Sequence, residues 1–339
     1  MKTPTFWART CLSHICLLVA TVFCCLYPHD LRAAGYVDKD SYLYPIMIDI
    51  RYKRYDEAMA KLEPYALKGD ATALFWYGYM KQENFGRDRY GAYQWYEESI
   101  KGGNPYSMFK LSGAYSTQDA CEINGWDCSE EYLDAAIQNW KALAEKGDAK
   151  AEYYHWYYDR SFFQQVYEER LTDKYEHAMM QAAKNGYYRP LVESIGIARR
   201  AKQDYREYWG DEMYQALLDN IDNDPKIAMH FIINPHAGMT EGQRRELYFE
   251  SVRKGWGGEY YYRFFTDGLI SGEEAYVLKK AWHWGTGKEF NEERSRNIFD
   301  IPPKDSPELE KKAEELYNSM EHVINFDEMD FMFMFEPDV

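Results

Sequence analysis

Apolar positions along the chain recur at helical spacing, and a glycine interrupts them at intervals. Four stretches carry the pattern: YALKGDATALFWYGY around Gly69, SIKGGNPYSMFKLSGAY around Gly103, LAEKGDAKAEYYHWYY around Gly147 and AAKNGYYRPLVESIG around Gly186. The glycines lie 34, 44 and 39 residues apart with no strand-like alternation between them, which predicts a stack of two-helix units. Aligned on the glycine, Ala58, Ala92 and Ala136 stand eleven residues before it, where the fourth unit has Tyr175. Ala66, Ile100, Ala144 and Ala183 stand three before. Small side chains at this spacing let one helix approach another closely. The glycine suits the left-handed turn that ends a helix. Asp70, Asn104 and Asp148 follow it as caps for the next helix. That helix then carries Ala73, Ser107 and Ala151 on its inner side. Tyr77 and Leu111 take the next buried step, where the third unit has His155. The expected fold is all-α: an α-solenoid of helix-turn-helix repeats, with loops such as NFGRDRYG between units.

The pattern weakens downstream. A degenerate unit is arguable over Arg244–Phe265, and Ser271-Gly-Glu-Glu274 reads as a capping box that opens a helix bearing Ala275, Leu278 and Trp282 and stopping before Gly285. IPPKDSP (301–307) breaks the pattern. It starts a last amphipathic helix with Ser306 as cap, Pro307 in its first turn, and Leu309, Ala313, Leu316, Met320 and Val323 along one side. The tail FDEMDFMFMFEPDV either packs back on these helices or serves as a docking segment. The chain thus divides into residues 1–34, a repeat region 35–202, degenerate helical repeats 203–300, and a capping helix with an acidic-apolar tail, 301–339.

The repeat residues resemble the SEL-one-like repeat family, a relative of the tetratricopeptide repeats. Ala92, Trp95, Tyr96, Gly103, Asn104, Pro105, Leu111 and Tyr115 match its pattern in register, and Ala58, Ala66, Gly69, Asp70, Ala71, Ala73 and Gly78 match it again. The likeness is strongest over residues 52–160, weaker over 175–202, and fades beyond. It implies an α-solenoid whose helix after each glycine turn lines a concave binding face. The steps three, six, ten and thirteen residues after each glycine form one helical stripe. On that stripe lie Tyr79, Tyr106, Lys150, Tyr157, Arg160, Arg189 and Arg199. Aromatic rings beside cationic groups suit a peptide bearing carboxylates. The competing reading makes these rings core fillers and these cations partners of surface acids.

Residues 1–34 change the picture of location. Lys2 and Arg9 precede an apolar run, Cys11–Tyr27, which Pro28 breaks, and Ala33-Ala34 follows. This is the order of a signal peptide. An uncleaved anchor stays open because Arg32 or Leu31 would stand three residues before the cut. Phe23 before Cys24 disfavours a lipoprotein. The expected location is periplasmic or secreted. Removal of this segment leaves Cys121 and Cys128 as the remaining cysteines, in the loop CEINGWDC that lengthens the second spacing. An oxidising compartment makes them a disulfide; two free thiols and half a metal site are the alternatives. The chain has 40 basic and 56 acidic residues, a net charge of −16, which repels nucleic acid.

No G-x-S-x-G elbow and no H-E-x-x-H occurs. Gly285-Thr-Gly-Lys288 lacks the glycine and the hydroxyl residue a phosphate loop requires, and the histidines are scattered. No cofactor and no metal is expected. The reading is an exported interaction scaffold that is not an enzyme, binding a protein or peptide partner as an adaptor or as a toxin-neutralising immunity protein. A membrane is contacted only through an uncleaved amino-terminal segment. The reading from another class is a cell-wall-directed hydrolase with an unrecognised site.

Overall fold

The glycines that interrupt the pattern are the turns of the molecule. Gly69, Gly103, Gly147 and Gly186 have φ of 81°, 84°, 91° and 88°, the left-handed region a side chain enters only at a cost. In this computed structural model the described residues are 37, 39–84, 89–114, 121, 125–159, 171–200, 205–233, 239–256, 258–287, 289–302, 306–322 and 324. The expected targeting segment 1–34, Arg160 and the tail 325–339 lie outside them.

The described residues are helical and contain no strand. A leading helix α1 (Tyr44–Arg51) precedes the four expected pairs. These are α2 (Tyr55–Ala66) with α3 (Ala71–Asn84), and α4 (Arg89–Lys101) with α5 (Pro105–Lys110). They continue as α6 (Glu131–Ala144) with α7 (Ala149–Tyr158), and α8 (Leu171–Lys184) with α9 (Arg189–Arg200). The caps form as the sequence predicts. Asp70 Oδ1 accepts from Ala73 N at 2.8 Å, Asn104 Oδ1 from Ser107 N at 3.0 Å, and Asp148 Oδ1 from Ala151 N at 2.9 Å. Ala58, Ala92, Ala136, Ala73, Ser107 and Ala151 are all fully buried.

After α9 come α10 (Tyr205–Asp219), interrupted at Gly210 where φ is 80°, and α11 (Pro225–Ile233). The arguable degenerate unit is α12 (Glu241–Arg253), a turn through Gly255 at φ 80°, a short 3-10 turn and α13 (Tyr261–Thr266). Then follow α14 (Gly272–Thr286), α15 (Glu292–Phe299) and α16 (Ser306–Ser319). Ser271 and Glu274 form the expected capping box on α14. Two expectations are corrected here. α14 runs past Gly285 to Thr286 and ends at Gly287, φ 64°, because Gly285 is a place of close packing and not a stop. α16 ends at Ser319 instead of continuing to Ile324, because the chain turns so that Glu321 N reaches Arg253 O at 2.8 Å.

Helices pack chiefly on their sequence neighbours. α11 joins the two halves: Ile227 and Phe231 belong to the core of the repeat region, while Ala228, Met229 and Ile232 belong to the core of the carboxyl-terminal helices. A helix apolar on both sides is what the run PKIAMHFII dictates. The end of α1 and the residues just after it then meet the carboxyl-terminal helices. Arg51 donates to Gly255 O, Arg54 Nη1 donates to Gly285 O at 2.7 Å, and the Tyr52 ring lies 5.2 Å from that of Trp282.

Candidate functional site

The stripe that the register predicts runs along α3, α5, α7 and α9. The structure places much of it inside. Tyr79 is buried, edge-to-face with Trp76 at 5.8 Å. Tyr106 is buried, 6.0 Å from the Trp140 ring. Lys150 is 8% exposed, with Nζ 4.1 Å from the centre of the Tyr106 ring. A cation over a ring face in a dry setting contributes about 2 kcal/mol. These three positions are therefore interior, in place of the open face expected for them. The physical reason is visible in α3: residues 73–80 are buried all round, and the run ALFWYGYM offers no polar side to turn to water. All six residues of α5 are buried as well.

The register itself is kept. Tyr106 and Lys150 each stand three residues after their glycine, and they stack directly. Hydrogen bonds tie consecutive pairs in the same sense: Ser99 Oγ donates to Ala71 O at 2.6 Å, Asn185 Nδ2 to Glu152 Oε2 at 3.1 Å, and the Tyr187 hydroxyl to that of Tyr154 at 2.9 Å.

Tyr157 and Arg189 are partly buried. The Tyr157 ring lies 5.8 Å from that of Tyr153 and 4.8 Å from that of Tyr158. Burial, and then the Glu193 carboxylate, hold its hydroxyl above the usual tyrosine pKa. Arg189 Nε meets Glu193 Oε1 at 2.8 Å one helical turn on, with Glu193 37% exposed. Tyr157, Glu193 and Arg189 thus share one edge between α7 and α9. Arg199 lies in α9, where only its backbone is described, and Arg160 lies outside the described residues.

Cys121 and Cys128 face each other with Cα atoms 5.9 Å apart, and their sulfurs pair across the loop. Trp126 N donates to Cys121 O at 2.8 Å and Ser129 N to Leu111 O at 3.1 Å, which folds the insertion back on α5. Among the described residues no group of three or more His, Cys, Asp or Glu side chains is close enough to hold a metal ion, and no helix is long and apolar enough to cross a membrane.

Sequence reasoning passed over Asp49, Arg51, Tyr52, Arg54 and His322, where the segment around α1 meets the carboxyl-terminal helices. A signal for them was present: RYKRY (51–55) sets three cations beside two tyrosines in a strongly acidic chain. Comparison with family models, with curated proteins and with solved structures gave no match.

Proposed function

We propose that the chain is an exported helical-repeat protein of the SEL-one-like kind that binds a protein or peptide partner along the edge between α7 and α9. The observation that carries this reading is the stacking of Lys150 on Tyr106, equivalent positions in consecutive units, 4.1 Å apart. Such stacking is what a repeat array requires, since each unit buries its apolar face on the next and leaves one surface continuous. The resemblance at Ala92, Trp95, Tyr96, Gly103 and Asn104 supports the same assignment. The targeting-like residues 1–34 and the Cys121–Cys128 pair support an oxidising, extracytoplasmic location.

On this edge the Glu193 side chain is 37% exposed against 12% for Arg189, and Tyr157 offers a ring beside it. A partner carboxylate would take Arg189 from Glu193, a bidentate exchange that keeps the guanidinium paired. A photo-crosslinking side chain at Glu193 is expected to capture a discrete protein from cell-envelope material. The same group at Lys311, 77% exposed on α16, is the control. Capture at both positions alike, or at neither, would defeat the proposal. Tyr157→Ala combined with Arg189→Ala is expected to abolish the Glu193 product. A toxin as the captured protein would mark an immunity protein, and an assembly component would mark an adaptor.

A further inference from the structure

The place where the segment around α1 meets the carboxyl-terminal helices is built from one histidine and two arginines. His322 is partly buried and adopts a left-handed backbone, φ 50°. Its Nδ1 lies 2.9 Å from the Tyr52 hydroxyl, and its ring lies 5.8 Å from that of Tyr52 and 5.4 Å from that of Tyr317. Its backbone fills the space beside Gly255, where a Cβ would stand 3.0 Å from the His322 Cα. The carbonyl of His322 accepts from the Tyr44 hydroxyl at 3.1 Å, and the adjacent Glu321 amide donates to Arg253 O at 2.8 Å.

The charges around this ring are unequal. From the amino-terminal side come Arg51, which donates to Gly255 O and lies over the Trp256 ring, and Arg54, which donates to Gly285 O. The Asp49 carboxylate is shared between Arg54 at 2.6 Å and Lys61 at 2.5 Å. From α12 the Arg253 side chain turns to Glu250, and α14 presents Trp282 and the Gly285 backbone. From α16 comes the Tyr317 ring, and Glu321 beside His322 is exposed. A neutral imidazole fits: in the tautomer with its hydrogen on Nε2, Nδ1 accepts from the Tyr52 hydroxyl. A protonated one carries hydrogens on both nitrogens and adds a third cation beside two guanidiniums.

We infer that His322 is the catch of a pH-sensitive latch, which holds the first helix against the carboxyl-terminal helices at neutral pH and releases it in mild acid. The direction follows from the site. Burial first, and then Arg51 and Arg54, hold the His322 pKa below the ordinary histidine value. The released chain therefore binds a proton more readily than the latched one. Latching is complete above about pH 6.5, the value of a free histidine, and weakens as pH falls below it toward the lower latched value. The inference concerns the closure of the chain on itself and does not depend on the proposed partner edge.

Hydrogen exchange of the full chain tests it at the Glu321 amide and over residues 44–52. After correction for intrinsic rates, exchange is expected to accelerate between pH 7.5 and 5.5, with a ceiling of about tenfold for a ring of ordinary pKa that takes the proton only when released. His322→Asn is the informative variant, because asparagine tolerates the left-handed backbone, accepts from Tyr52 through its amide oxygen and does not titrate. Its exchange is expected to stay flat over the same range. Equal acceleration in both proteins, or none in the wild type, overturns the inference. If His322→Asn is already open at pH 7.5, titration of the His322 ring by NMR decides: a pKa at or above that of a free histidine overturns it, and a lower one sustains it.

Discussion

Gly147 turns the chain with φ of 91°, and no heavy atom lies within 4 Å of where a Cβ would stand. An alanine there meets no neighbour, so its whole penalty is the left-handed backbone. Gly147→Ala is expected to lower stability by about 1–2 kcal/mol, and Gly147→Asn by less, as read from urea midpoints at constant slope. A larger loss for alanine would mean that the turn is also a packing site. Asp49 is a different kind of residue. Its carboxylate is 3% exposed and holds two cations, Arg54 at 25% and Lys61 at 49% exposure. Breaking a wholly buried pair costs about 3–5 kcal/mol. Here the cations left behind can reach water, so Asp49→Asn is expected to cost about 1–3 kcal/mol in the same measurement.

The insertion between α5 and α6 adds residues to a unit without displacing it, because Cys121 and Cys128 close it on itself. Joining residues seven apart removes little chain freedom, so replacing both by serine is expected to cost about 2 kcal/mol. Alkylation without reductant should leave both cysteines unmodified, and proteases should cut the double variant first near Gly125. This loop was legible in the sequence, as were the helix pairs, since Asp or Asn after a glycine at a helix end has few other uses. The depth of α3 and α5 was not read, although it was written in the lack of any charge between Ala71 and Met80. A stripe drawn by register gives direction around a helix but not what stands opposite. Tyr79, Tyr106 and Lys150 were therefore placed on the correct helices at the wrong depth. Tyr157 and Arg189 are partly buried, with Glu193 keeping one side of α9 polar. The meeting of α1 with the carboxyl-terminal helices was illegible for a separate reason. Its partners are 204 to 278 residues apart, and local periodicity holds no record of such pairings.

A stack of helices needs something at its edges to cover apolar surface and free carbonyls. Here the segment around α1 and the carboxyl-terminal helices cover each other. Arg51 serves the carbonyl of Gly255 just past α12, and Arg54 serves that of Gly285 in the last turn of α14, where cations complement the helix dipole. Tyr52, 1% exposed, lies so close to Gly285 that its ring occupies the place of a Cβ there. This permits a test in which two effects oppose. Gly285 has ordinary helical backbone, so alanine at that position should strengthen α14 by about 1 kcal/mol. If closure holds the molecule together, the clash with Tyr52 wins. Gly285→Ala then lowers stability by about 1–3 kcal/mol, the cost of forcing atoms into a filled space, and raises the radius of gyration in solution scattering. In a Tyr52→Ala background the ring is absent, and the same Gly285→Ala change should be neutral or stabilising. The difference between the two backgrounds isolates the contact of Tyr52 with α14. Equal effects in both would mean that the first helix does not close on α14.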